Sequence, residues 1–143
     1  MARFRLGAVL RARKAQEDTA KAAALRARTQ ADIAATRARA VGRDLDERGV
    51  PHEASAISFA ATMSARNALA STLADAIGAA RLAGDDVLDK LTDLTQAAIQ
   101  RRTIEKLEER HAAARRRAVD AADARAVDDL TTATRGRPHE EHG

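Results

Sequence analysis

The sequence predicts an all-α protein: an elongated antiparallel two-helix coiled-coil hairpin, its second helix longer and free to kink near Gly84. Three observations lead there. The chain of 143 residues is 45% hydrophobic, yet much of that share is alanine and the only aromatics are Phe4 and Phe59. Alanine buries little area, so a thick globular core is out of reach and a thin helical assembly fits better. Long stretches repeat apolar residues with a period of 3.5, the spacing of a left-handed coiled coil. Finally, the chain carries a single strong break, at residues 46–58.

The first helix is expected at 3–45. Steps of four and three from Leu6 reach Leu10, Arg13, Glu17, Ala20, Ala24, Ala27, Ala31, Ala34, Ala38, Val41 and Leu45, a seam interrupted only by Arg13 and Glu17. Alanine on such a seam lets two helices approach closely. Leu25 and Ile33 lie beside it and are expected to widen it.

The turn at 46–58 follows from Gly49, suited to a helix C-terminus, and Pro51, which bars simple continuation. Ser55 or Ser58 can cap the next helix.

A long second helix is expected at 59–133. Phe59, Met63, Leu69, Leu73 and Ile77 recur at near-helical spacing, and the seam resumes at Val87, Leu91, Leu94 and Ala98. It then shifts frame to Ile104, Leu107, His111, Ala114, Ala118 and Ala121. Gly78 and Gly84 each weaken the helix by roughly 1 kcal/mol relative to alanine, and Gly84-Asp85-Asp86 could end one helix and cap another. Continuous, this helix would run ~110 Å against ~65 Å for the first. Either a hairpin at the turn leaves roughly the last 30 residues overhanging, or a bend at Gly84 lays residues 86–130 along the first helix. The hairpin is favoured, because one glycine rarely reverses a chain. The whole of 1–134 is expected to form one domain, with 135–143 a disordered polar tail.

Charge is uneven. Residues 1–45 hold 11 basic and 4 acidic side chains, so the first helix is the positive part of a chain of net charge +4. Arg115, Arg116 and Arg117 make a second focus. Such a pattern favours acidic partners, although its commonest meaning is a solvated helix face. Exposed pairs across a turn (Arg101 with Glu105, Arg116 with Asp120, Arg125 with Asp129) are worth a few tenths of a kcal/mol each. The helix therefore needs a partner along its seam.

The sequence offers no enzyme: it has no Gly-rich phosphate loop and no Ser or Cys nucleophile motif. Cysteine is absent, so no disulfide or Cys-based metal site is available. His139 and His142 flank two glutamates in the tail, where no second shell could preorganise a metal, and no cofactor is expected. No apolar run reaches the ~18 to 20 residues of a membrane span, and Arg11, Arg13 and Lys14 follow the first ten residues where a signal peptide would need an apolar core. Nucleic-acid binding competes on charge alone. No aromatic stacking platform supports it, and the basic residues of the first helix spread around its circumference.

Residues 101–130 carry a more specific signal. Arg101-Arg102, then Glu105-Lys106-Leu107-Glu108-Glu109-Arg110, a basic spacer and Asp128-Asp129-Leu130 resemble the C-terminal signature of the flagellar export protein FliJ family. Phe4-Arg5-Leu6, Leu10, Arg13 and Glu17-Asp18 resemble that family's opening, and the layout of a helix, a short break and a longer helix matches along essentially the whole chain. The chain departs from the family's usual wording in its Ala-rich interior and in the glycines at 78 and 84. The resemblance implies a non-enzymatic, stalk-like component of the flagellar type III export apparatus. It would bind the hexameric export ATPase, the cytoplasmic domain of the export-gate protein and export chaperones. It would work in the cytoplasm, held peripherally at the inner face of the cell membrane by protein partners, with no specific nucleic-acid ligand. On this reading Arg101, Arg102, Lys106 and Arg110 are the candidate ATPase contact, and Phe59, Met63, Leu69 and Leu73 near the turn are the candidate gate contact. The alternative is a basic coiled coil that binds nucleic acid or another acidic surface.

Overall fold

The computed structural model describes residues 2–52 and 55–136, with side chains from residue 5 onward. It forms two helices, α1 (Ala2–Glu47) and α2 (Ala56–Arg135), and among the described residues there is no strand. By internal contact the chain divides into a unit of residues 12–100, which holds the turn, and a unit of residues 1–11 with 101–143. Each is taken by itself below.

In the unit of residues 12–100 the two helices pack antiparallel. Arg66 Nη1 donates to Leu45 O at 3.2 Å. Further along, Leu73 Cδ1 lies 3.8 Å from where a Cβ on Gly42 would stand. At the far end Arg13 Nη1 donates to Gln100 Oε1 at 2.8 Å. The α1 number falls as the α2 number rises, so the chain folds back at the turn and not at Gly84. Indeed α2 runs unbroken through Gly78 and Gly84, and no described glycine has a positive φ.

Every position of the expected α1 frame, from residue 6 to residue 45, is buried or half-buried. Among the described residues the buried side chains are Ala24, Ala27 and Ala76, none of them large. Their size permits the close approach that the alanine-rich seam requires. Arg13, which breaks the apolar pattern, donates at once to Gln100 and to Gln16 Oε1 (3.0 Å), so its half-buried guanidinium is satisfied. Leu25 and Ile33 do not widen the seam: they are 61% and 58% exposed, on the outer surface of α1.

The α2 seam differs from its sequence reading. One unshifted frame carries covered residues at Arg66, Leu69, Leu73, Ala76, Ala80, Ala83, Val87, Lys90, Leu94, Ala97, Arg101, Ile104 and His111, with Glu108 its one exposed member, and Gly84 and Ala98 are half-buried beside it. Ile77, Leu91 and Leu107 stand outside it, 45%, 47% and 44% exposed. Following apolar letters alone produced a frame shift that the helix does not make. Arg66, Lys90 and Arg101 occupy seam positions because their aliphatic stems can lie along the partner while the charged ends reach past it, Arg66 to the Leu45 and Arg48 carbonyls, Lys90 to Asp86 and Arg101 to Glu105.

At the turn, Ser55 Oγ accepts from the Ser58 amide at 3.2 Å and so caps α2, as its hydroxyl suggests. Gly49 does not supply a left-handed C-cap for α1. The carbonyls at that end are instead taken by Arg66, whose Nη1 donates to both Leu45 O and Arg48 O.

In the other unit, Leu6 faces Glu108, His111, Ala112 and Arg115 across a shallow concavity. Beyond Ala113 every described residue, 114–136, is exposed. The expected seam at Ala114, Ala118 and Ala121 is therefore exposed, in keeping with the overhang anticipated above. Of the three expected charge pairs, Arg101–Glu105 is closed at 2.7 Å and the other two are open among the described residues. Residues 137–143, with the tail histidines, lie outside the described part of the chain.

Candidate partner-binding surfaces

The basic group at 101–110 separates into two kinds of residue. Arg101 is a seam residue: its side chain is 21% exposed and its Nη1 donates to Glu105 Oε2 at 2.7 Å. Arg102, Lys106 and Arg110 are all exposed, and their spacing of four places them along one ridge of α2. Local neutralisation of this ridge is incomplete. Glu105 is engaged by Arg101, and Glu108 lines the concavity beside Leu6, which leaves Glu109 next to the ridge. Further on, Arg117 Nε donates to Ala113 O at 3.4 Å, and Arg115 and Arg116 extend the positive surface onto the uncovered helix. The arrangement is a row of cations backed by a stiff helix, suited to carboxylates on a partner; arginine can hold these bidentately.

The residues near the turn also separate. Leu69 and Leu73 are half-buried seam members, and Met63 is half-buried beside them. They hold the two helices together at this end. Phe59 is 44% exposed and available to a partner. Two further apolar side chains near the turn in sequence are exposed: Val50, 48%, and Ile57, 84%. Ile57 was missed in the sequence because it precedes the first seam residue of α2. The signal was its place in the first turn of the helix, just behind the Ser55 cap, where no α1 residue remains to cover it.

Among the described residues no group of three or more His, Cys, Asp or Glu could hold a metal ion. None of the described helices is long and apolar enough to cross a membrane. The concavities are open and mix alanine with polar and charged side chains, as where Ala20 and Ala23 stand beside Lys90 and Asp93.

A family model described as "Flagellar FliJ protein" matches residues 1–139. No curated protein and no solved structure matches the chain.

Proposed function

Because the chain belongs to the FliJ family, whose members are non-enzymatic and serve flagellar export, we propose that it acts as a stalk-like coiled coil binding the export ATPase at one end and the export-gate protein at the other. The observation that carries this reading is the split of exposed residues. A cationic ridge (Arg102, Lys106, Arg110) leads onto an uncovered helix, and an apolar patch (Phe59 with Ile57 and Val50) crowns the turn. Arg101 contributes to the ATPase contact by stiffening the base of the ridge through Glu105. Met63, Leu69 and Leu73 contribute to the gate contact by holding Phe59 in place. Export chaperones are further partners of the same rod. The chain works in the cytoplasm, recruited to the inner face of the membrane by these proteins.

The test is a triple reversal on the ridge, Arg102→Glu, Lys106→Glu and Arg110→Glu. All three side chains are exposed and glutamate is a good helix former, so helicity holds. Exposed ionic contacts govern association rate and salt dependence, so binding to the ATPase slows and any stimulation of its activity is lost. Gate binding persists. Unchanged stimulation by the folded variant would exclude the ridge, and a steep salt-dependent affinity for DNA at near-physiological salt would favour a nucleic-acid partner instead.

A further inference from the structure

In the unit of residues 12–100 the apolar side chains are distributed the wrong way round for a self-sufficient hairpin. The seam buries alanines, Ala24, Ala27 and Ala76, while Leu88, Leu91 and Ile77 are left 64%, 47% and 45% exposed. These exposed residues are in register with one another. Ala74, Ile77, Gly84, Leu88, Leu91 and Ala98 follow a 3.5-residue period of their own, one position round from the inner seam, with Arg81 and Thr95 as its two polar positions. They lie along one side of the hairpin. The opposite side is identified by the grooves in which Ala23 meets Lys90 and Ala34 meets Ala76.

Two further observations say what would cover this second seam. Gly84 sits in its middle, inside an unbroken helix, and a Cβ there would meet nothing within 4 Å. Packing within the chain gives no reason for a residue that weakens a helix, whereas close approach of another backbone does. Along the same side of the hairpin, α1 presents Lys14, Lys21 and Arg28, all exposed and spaced by seven. Seven residues is the repeat of one coiled-coil edge position, so the three cations form one rail. Asp18, Leu25 and Asp32, also spaced by seven, stand one position further round α1, away from the stripe.

We propose that this stripe is the docking site for a third helix: one amphipathic helix of a partner protein, apolar along one face, with Asp or Glu recurring every seventh residue along the edge that meets α1. The apolar face covers Ile77, Leu88 and Leu91, its backbone comes closest at Gly84, and its carboxylates meet Lys14, Lys21 and Arg28. The site is separate from the ridge and the turn patch, and it stands whether or not those two contacts are as proposed.

The probe is a fluorescein-labelled synthetic helix about four heptads long, leucine along its face and glutamate at the edge position, alongside a second peptide with lysine in place of each glutamate. Anisotropy titration with the full chain is expected to show binding of the glutamate peptide and at least about tenfold weaker binding of the lysine peptide. Leu88→Gln with Leu91→Gln lowers affinity for the glutamate peptide about tenfold or more, and Lys21→Glu with Arg28→Glu reverses the preference between peptides. Gly84→Leu, which fills the approach, abolishes binding while helix content by circular dichroism holds or rises. Neither peptide is part of any export apparatus, and stimulation of the ATPase by the Leu88/Leu91 variant is expected to be unchanged, so this site and the ridge fail independently. Absence of binding, equal binding of both peptides, or indifference to Leu88→Gln with Leu91→Gln would overturn the proposal. So would sedimentation showing that the chain pairs with a second copy of itself through Leu88 and Leu91.

Discussion

Replacing Gly78 and Gly84 by alanine should stabilise the free protein. At both positions the backbone is helical with no positive φ, and a built Cβ finds no heavy atom within 4 Å. Neither steric nor conformational cost therefore opposes the change. Alanine in a helix interior is favoured over glycine by about 0.8–1.0 kcal/mol, so the pair is worth about 2 kcal/mol. The two sites are six residues apart, about 9 Å along the axis, and share no partner, so additivity is expected. For a chain of this length each kcal/mol shifts the melting temperature by about 3–4 °C, which puts the double variant about 6–8 °C above the parent. Thermal unfolding followed by circular dichroism reads the shift, and urea unfolding should show a higher midpoint with an unchanged slope. A melting temperature that stays level or falls would refute the reasoning. It would mean that α2 bends at these glycines, or that another part of the chain closes over them.

Three other substitutions probe the remaining contacts. Arg66→Ala removes the donor shared by Leu45 O and Arg48 O, so the end of α1 should fray; about 1 kcal/mol is lost and faster amide exchange appears at residues 44–48. Ala27→Leu forces a large side chain into the closest approach of the helices, where Ala27 is 5% exposed, and should cost about 1–3 kcal/mol in urea unfolding. The same change at Ala121, on the uncovered part of α2, should stay within about 0.5 kcal/mol, and an equal loss at both sites would show that the overhang is packed. Arg13→Ala strands Gln100 and should lower stability by about 1 kcal/mol, an effect largely absent if Gln100 is removed first.

Much was legible in the letters. The two-helix plan, the single turn with its serine cap, and the α1 frame follow from local rules: helix propensity, a 3.5-residue period and a proline that bars continuation. In α1 the frame could be read because its positions are apolar, with Arg13 and Glu17 as the two exceptions. In α2 the same rule misled. Ile77, Leu91 and Leu107 drew the reading off the true seam, and Arg66, Lys90 and Arg101, which belong to it, were set aside as polar. The basic group at 101–110 was visible as a cluster, but its division into an inward Arg101 and an outward ridge was not.

By itself, then, the sequence determined that this chain would be two long helices joined by one turn, since each helix is specified by neighbours three and four residues away. Which face of α2 meets α1 was decided only in the tertiary structure. An alanine seam discriminates weakly between adjacent faces, because shifting it by one position changes little buried area. The choice falls to contacts between residues far apart in the chain: Arg13 with Gln100, Arg66 with the carbonyls ending α1, and Leu73 against Gly42. Those contacts turn Leu88 and Leu91 outward, and nothing local in the sequence foretells it.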